Sequence, residues 1–317
     1  MEKHTIENRF IALSAIELGA TLHQVWVKDK NDVSQNIILG FEDTQQYADN
    51  PFSIGATIGR YAGRISGGGF HINHKRFELY QEDGVHLHGG HVGFGQLMWT
   101  LESKTESEII FTILSPDGQE GYPGNVEVKA EYRLLENGFE IVYSAKTDAP
   151  TYLNLTNHAY YNLAGKGHIL NHSLKLNSQS YLETDAKLLP SGKLLSVSAT
   201  PLDFMSNRAI GAHQAFKGID DCFLLNKETD LAAELFASET GIRMQVHTNQ
   251  PAVVVFTPPD FQKQNNLFEN RYDRFSSICF ETQYPPDAPN CNQFPSPLLL
   301  PGQLYVNKTQ FLFSVEN

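Results

Sequence analysis

Four stretches of this 317-residue chain carry polar side chains that strand packing alone would not need. In Ser277-Ile278-Cys279-Phe280-Glu281-Thr282-Gln283-Tyr284 a carboxylate closes an otherwise apolar run. Burying Glu281 is costly unless it is bonded or functional, so it is either a working group or a strand-end residue already in water. Pro285, Pro286, Pro289, Pro295, Pro297 and Pro301 follow and would stiffen the loop beside it. A second stretch, Tyr152 to Leu163, gathers Asn154, Thr156, Asn157, His158, Tyr160, Tyr161 and Asn162. Aromatic rings stack on the apolar faces of sugars, and amides and imidazole meet hydroxyls, so the mixture suits a carbohydrate cleft. A strand end whose polar groups cap its own backbone accounts for it equally well.

The third stretch is His86-Leu87-His88-Gly89-Gly90-His91. His-x-His on a strand puts two rings on one face, a common metal arrangement. A metal would need a further ligand from elsewhere and the glycines read as a turn, so ligand hydrogen bonding or a structural role is preferred and no metal is expected. His168 and His172 lie four apart without a His-Glu-x-x-His helix, and a solvated loop is expected there. The fourth stretch, Gly59-Arg60-Tyr61-Ala62-Gly63-Arg64-Ile65 before Gly67-Gly68-Gly69, offers two guanidinium forks to hydroxyls or carboxylates. No strand–turn–helix context makes it a dinucleotide fingerprint, and a glycine-rich turn with surface arginines is its plainer reading.

The elements that must position these groups read as strands. Val126, Val128, Ala130, Tyr132 and Leu134 alternate with polar partners, Asn137-Gly138 follows, and Phe139, Ile141 and Tyr143 resume the period of two. Asn-Gly between such runs predicts a hairpin with a type I′ turn. Similar runs occupy Thr21–Val27, Glu108–Leu114, Met244–Thr248, Val253–Thr257, Ile278–Glu281 and Tyr305–Phe313. Helical signals are confined to Leu231–Ser238 and Lys263–Tyr272, and 24 Gly with 15 Pro interrupt the remainder. Many strands without a βαβ rhythm imply an all-β fold, a large antiparallel β-sandwich with few short helices. No linker or repeat divides the chain, so residues 1–317 are expected to form one domain.

Composition narrows the function classes. Lys and Arg number 24 against 36 Asp and Glu, a formal net charge of −12 with no basic run, which argues against nucleic acid or an anionic membrane as partner. No stretch approaches the apolar length of a spanning helix, and Glu17 breaks the short apolar run Phe10 to Ile16 that a signal peptide would need. Three cysteines lack Cys-x-x-Cys spacing, so neither a disulfide framework nor a zinc knuckle is expected. The chain reads as a soluble, cytoplasmic protein.

Taken in order, these segments resemble the galactose mutarotase (aldose 1-epimerase) family across nearly the whole chain. Gly59-Arg60-Tyr61-Ala62-Gly63-Arg64-Ile65, Leu87-His88-Gly89-Gly90 with Gly93-Phe94 and Trp99, and Asn154-Leu155-Thr156-Asn157-His158 with Tyr161-Asn162-Leu163 look like family motifs. Pro190 to Phe204, Gly218-Ile219-Asp220, and Phe280-Glu281-Thr282-Gln283 with Pro286-Asp287-Ala288 and Pro301-Gly302 extend the match. The resemblance implies the galactose mutarotase-like supersandwich, with Glu281 as catalytic base and His158 as catalytic acid. It implies substrate contacts from Arg64, His88 and Asp220, and Asn157 and Tyr160 are added as neighbours of the acid. Two positions depart from the family pattern: Gly63 stands where an Asn is usual, and Val254 where a substrate-contacting Gln is usual.

The activity so implied interconverts the α and β anomers of a free aldohexose such as glucose or galactose. A base takes the O1 proton while an acid protonates the ring oxygen O5, C1–O5 breaks, the aldehyde turns about C1–C2, and O5 re-attacks the other face. Glu281 as carboxylate and His158 as imidazolium fit this pair, since an ordinary imidazole pKa of ~6.5 leaves its proton available. No cofactor is required, the partner is a monosaccharide, and a monomer or homodimer would serve. The alternatives are a sugar-binding protein without catalysis, an epimerase of a phosphorylated hexose, for which Arg60, Arg64 and Lys75-Arg76 are few and scattered, and a glycosidase using Glu281 and Asp220, which would leave His158 without a role.

Overall fold

The computed structural model of the protein describes residues 1–226, 228–258, 261 and 274–316. Among these residues strands dominate, and the helical pieces are short 3-10 turns at Thr44–Ala48, Phe94–Gln96, Gln119–Gly121 and Ile210–Ala212. Each run read as a strand is one, most of them longer than expected: Thr21–Lys28, Glu108–Ser115, Val126–Leu135, Gly138–Thr147, Ile242–Thr248, Ile278–Gln283 and Tyr305–Val315, with Val253–Thr257 shifted back by one residue to Ala252–Phe256.

Three sheets carry the architecture. A nine-stranded antiparallel sheet runs from Thr100–Lys104 through Glu108–Ser115, Val126–Leu135, Gly138–Thr147, Tyr305–Val315, Ile242–Thr248, Leu231–Ala237 and Ser173–Leu176 to Arg208–Ala209. A six-stranded antiparallel sheet is ordered Tyr160–Tyr161, Ile278–Gln283, Ala252–Phe256, Asp220–Leu224, Ser180–Thr184, Pro190–Ser196. A four-stranded sheet comprises Lys3–Glu7, Ile11–Ile16, Thr21–Lys28 and Ser34–Asn36. The main core lies between them: Phe111, Tyr132, Phe139 and Phe311 from the large sheet meet Phe223, Val253, Val255, Ile278 and Phe280 from the six-stranded one and Leu13, Leu22 and Val25 from the smallest. Each fully buried side chain of this kind contributes roughly 1.5–3 kcal/mol of transfer free energy, and that is what closes the sandwich.

Two expectations change. Leu231–Ala237 is a strand rather than two helical turns. It pairs with Ile242–Thr248 on one side and Ser173–Leu176 on the other, burying Ala233, Leu235 and Ala237 alternately, so sheet packing overrides the helix preference of its alanines and leucines. The hairpin at Asn137-Gly138 is present, with Leu135 opposite Gly138, but its loop is Glu136-Asn137 and neither residue takes a positive φ. Glycine is needed at 138 for another reason: a Cβ there would sit 2.1 Å from the Phe311 carbonyl oxygen of the neighbouring strand. The expected helix over Lys263–Tyr272 lies outside the described residues. No helix among the described residues is long and apolar enough to cross a membrane.

Candidate active site

The six-stranded sheet has two faces, and strand alternation assigns them. Phe223, Val253, Val255, Ile278 and Phe280 point into the core. Their neighbours Asp220, Cys222, Val254, Phe256 and Glu281 point the other way and line a cavity of about 210 Å³. Arg64, His88, His158, Tyr160, Phe52 and Leu182 complete much of its wall. Ligand pockets for drug-sized molecules run about 300–1,000 Å³, so this cavity suits a smaller ligand.

Glu281 is buried, and across the ladder it faces Val254, which in turn faces Cys222. Its carboxylate therefore has apolar neighbours along the sheet. Burial, reinforced by the nearby Asp220 and only partly offset by Arg64, pushes the Glu281 carboxyl up to about 8. Asp220 is raised in turn by burial, again with Arg64 opposing.

His158 sits between the short strands Thr156–Asn157 and Tyr160–Tyr161. Its amide donates to the Ala56 carbonyl at 2.9 Å and its carbonyl accepts from the Gly55 amide at 3.0 Å, so the backbone is clamped on both sides. The ring packs on Tyr160 and meets His88 edge-on at 5.6 Å. His158 Nε2 lies 3.5 Å from Glu281 Oε1. Burial drives this imidazole down to about 4. Burial thus disfavours both the carboxylate and the imidazolium, against the imidazolium–carboxylate arrangement expected from sequence. Reaching that arrangement requires one proton transfer across the 3.5 Å gap.

His88 follows the strand Val85–Leu87 with a positive φ of 51°, which turns its ring away from the alternation that His-x-His assumes. His86 points elsewhere: it is buried, with Nδ1 2.6 Å from the Tyr80 carbonyl oxygen and Nε2 2.6 Å from the Tyr122 hydroxyl. The loop carrying His88 is tied down by Glu120, whose carboxylate accepts from the amides of His91 and Val92. Gly63 closes the arrangement, because its amide donates to His88 Nδ1 at 3.2 Å. An N–H aimed at Nδ1 leaves the ring proton on Nε2 and makes His88 a permanent donor. Burial next to His158 and Arg64 keeps that ring neutral.

The same bond bears on metal binding. One potential ligand atom each from His88, His158 and Glu281 lie within 4.8 Å of one another. A ligating histidine normally donates its far N–H to an acceptor, whereas His88 already accepts a proton there and presents N–H on the other side. The cluster is thus suited to hydrogen bonding with a polar ligand rather than to a cation.

Other expected residues fall into place unevenly. Arg64 opens the strand Arg64–Ser66 opposite Leu87 and reaches the cavity. Arg60 does not; it is buried and donates to Ser115 and to the carbonyls of Ser115, Pro116 and Pro123. Tyr160 lines the cavity and donates to the Phe52 carbonyl. Asn157, expected to touch substrate, is not among the cavity-lining residues; its Nδ2 donates to the carbonyl of Gly55, the residue whose amide holds the His158 carbonyl. His172 is a buried histidine whose Nε2 accepts from the Leu163 amide, not a solvated one. Cys279 and Glu120 escaped the sequence reading. Cys279 shares the strand face of Glu281 by simple alternation, and that was its available signal.

A model of the aldose 1-epimerase family matches residues 2–312. The galactose mutarotase of Mus musculus is 34% identical over 99% of this chain and 94% of its own. Among solved structures, the GalM/aldose epimerase homologue from C. elegans superposes with a TM-score of 0.94 at 26% identity, covering 100% of this chain and 99% of that one. Galactose 1-epimerase from Lactobacillus acidophilus gives 0.88 at 29% identity, over 99% and 95%. Sequence likeness from end to end and a shared fold lead to one assignment: the chain belongs to the aldose 1-epimerase family.

Proposed function

We propose that this protein interconverts the α and β anomers of a free aldohexose, with Glu281 and His158 as the proton-transfer pair. The observation that carries the reading is the buried contact of these two groups, 3.5 Å apart in a small cavity that also presents Arg64, His88 and Asp220. The pair holds one proton near neutrality. With that proton moved to His158, Glu281 takes the O1 proton while His158 Nε2 protonates O5, C1–O5 cleaves, and the same groups exchange roles when the ring closes on the other face. His88 Nε2–H and the Arg64 guanidinium hold oxygens in place, and Asp220 accepts from a hydroxyl.

Among the described residues lining the cavity, Arg64 is the one guanidinium or ammonium, which favours a neutral sugar over a phosphorylated one. We assign the chain as a single domain acting as a monomer or homodimer. Its three unpaired cysteines accord with a reducing, cytoplasmic setting. The test is polarimetry of freshly dissolved α-D-glucose and α-D-galactose. Faster decay with the wild type and buffer-like decay with Glu281→Gln is expected; a sugar that binds without faster decay would favour the non-catalytic reading.

A further inference from the structure

The two histidines of the cavity differ in what stands behind them. Behind His88 is a backbone amide, which can only donate, so Nδ1 must stay bare and the ring proton stays on Nε2. Behind His158 is the Cys279 sulfur, 3.7 Å from Nδ1. Cys279 is buried in a satellite apolar cluster with Tyr160 and Ile54, and burial beside Glu281 and Asp220 keeps it a thiol. A thiol sulfur is a weak acceptor as well as a weak donor, so it tolerates a proton on the nitrogen it faces.

We propose that Cys279 is a positioning residue for His158: its sulfur receives the Nδ1–H, and this dedicates Nε2 to exchanging the proton with Glu281 and with the sugar ring oxygen. The inference rests on the anomerase reading above and deepens it. An acid that must take its proton back needs a bare Nε2 after release, and a neutral ring has a bare Nε2 only when Nδ1 carries the remaining proton. His88 is barred from that form by the Gly63 amide, whereas His158 is admitted to it by Cys279. The division of labour between two adjacent imidazoles is therefore set from behind, by an amide in one case and a sulfur in the other. The weak acceptor adds little to the imidazolium beyond the bond to the residue's own backbone, and burial outweighs both, which keeps its proton easy to release. Other ionisable groups facing His158 are Glu281 on the Cys279 strand, His88 on the loop after Val85–Leu87, and Tyr160 beyond its own turn, with Arg64 and Asp220 acting through Glu281.

The test combines a spectroscopic and a kinetic readout on the full chain. Nitrogen-15 NMR of the imidazoles near neutral pH should show His158 protonated at Nδ1 and His88 at Nε2. In Cys279→Ala, kcat should fall about 3- to 10-fold, the worth of one modest hydrogen bond, with KM unchanged and the acid limb of kcat moved to lower pH. Cys279→Ser restores a partner of the same shape, should recover kcat, and should move the acid limb upward by about half to one unit. A wild-type His158 protonated at Nε2, or a folded Cys279→Ala with wild-type kcat and acid limb, overturns the inference. Glu281→Gln measured alongside separates the two levels: full activity in that variant removes the anomerase assignment of the pair, while its collapse beside a silent Cys279→Ala removes only the role given to Cys279.

Discussion

Phe280 and Glu281 are neighbours in one strand and almost equally hidden, at 2% and 3% exposure, yet burial does opposite things to them. Phe280 faces the core with Phe223, Val253 and Val255, where removal from water is the source of stability. Glu281 faces the cavity with Asp220 and Val254, where removal from water opposes its charge and drives its carboxyl up to about 8. One sheet thus spends its inner face on folding and its outer face on tuning protons. The lesson is that a period of two can deliver a core and a catalytic surface from the same strands, provided the core face carries the stability.

Separating the two faces by mutation gives the largest expected effect. Glu281→Gln should lower kcat by roughly 10²–10⁴-fold while the protein stays folded, and His158→Gln should cost a similar order. Phe280→Ala should instead cost about 3–5 kcal/mol of stability, read by denaturant unfolding. A Glu281→Gln variant that unfolds, or a Phe280→Ala variant of unchanged stability, would erase the distinction between the faces.

Next in size is the pH dependence of kcat. The pair works with one proton, so activity should fall below about 4, where His158 and Glu281 both hold protons, and above about 8, where neither does. Stability has its own signs. His23, His158 and His172 are held to about 4 by burial, so the unfolded chain binds more protons between about 6.5 and 4 and stability drops on acidification through that window. Glu281 acts in reverse, its contribution being full below the ordinary 4.5 and lost as pH rises to about 8. Melting temperatures of wild type and Glu281→Gln should therefore diverge on the alkaline side, with the variant relatively more stable. Parallel curves across that range would argue against a buried, protonated carboxyl.

Much of this was legible in the chain because alternation is a short-range signal. Val254 and Glu281 lie on runs read as strands, Asp220 came by resemblance alone, and the His158 and His88 stretches stood out by residue type. What was hidden depends on through-space partners. Nothing in Asn137-Gly138 announces that Phe311 crowds Gly138, and nothing in Leu231–Ala237 announces the two strands that flank it. Asn157 and His158 are adjacent and equally polar, yet only the fold decides that one bonds Gly55 while the other faces the cavity. Proton placement was the least legible of all. Histidine and glutamate have ordinary affinities in a sequence, and the opposition of burial to both charges appears only once the two groups are enclosed.

A finer comparison concerns Val254, the apolar partner of Glu281 across the ladder. Val254→Gln would give the carboxylate an amide donor, and the alkaline limb of kcat should move down by about half to one unit, with little change in stability. An unmoved limb would mean that Val254 does not govern the Glu281 proton. The smallest effect expected is none: exhaustive chelation should leave kcat unchanged, because the Gly63 amide commits His88 to hydrogen bonding. Activity lost to a chelator and restored by one divalent metal would reverse that reading of the cluster.

The central claim is that Glu281 and His158 move protons only between oxygens, opening and closing the sugar ring without breaking a carbon–hydrogen bond. Proton NMR of glucose or galactose at anomeric equilibrium in D₂O tests it directly. With catalytic enzyme, exchange between the α and β H1 signals should appear while the H1 and H2 integrals stay undiminished and no ketose forms. Enzyme-dependent loss of the H2 signal, or the growth of a ketose, would show that a base in this cavity reaches carbon, and the anomerase account would be contradicted.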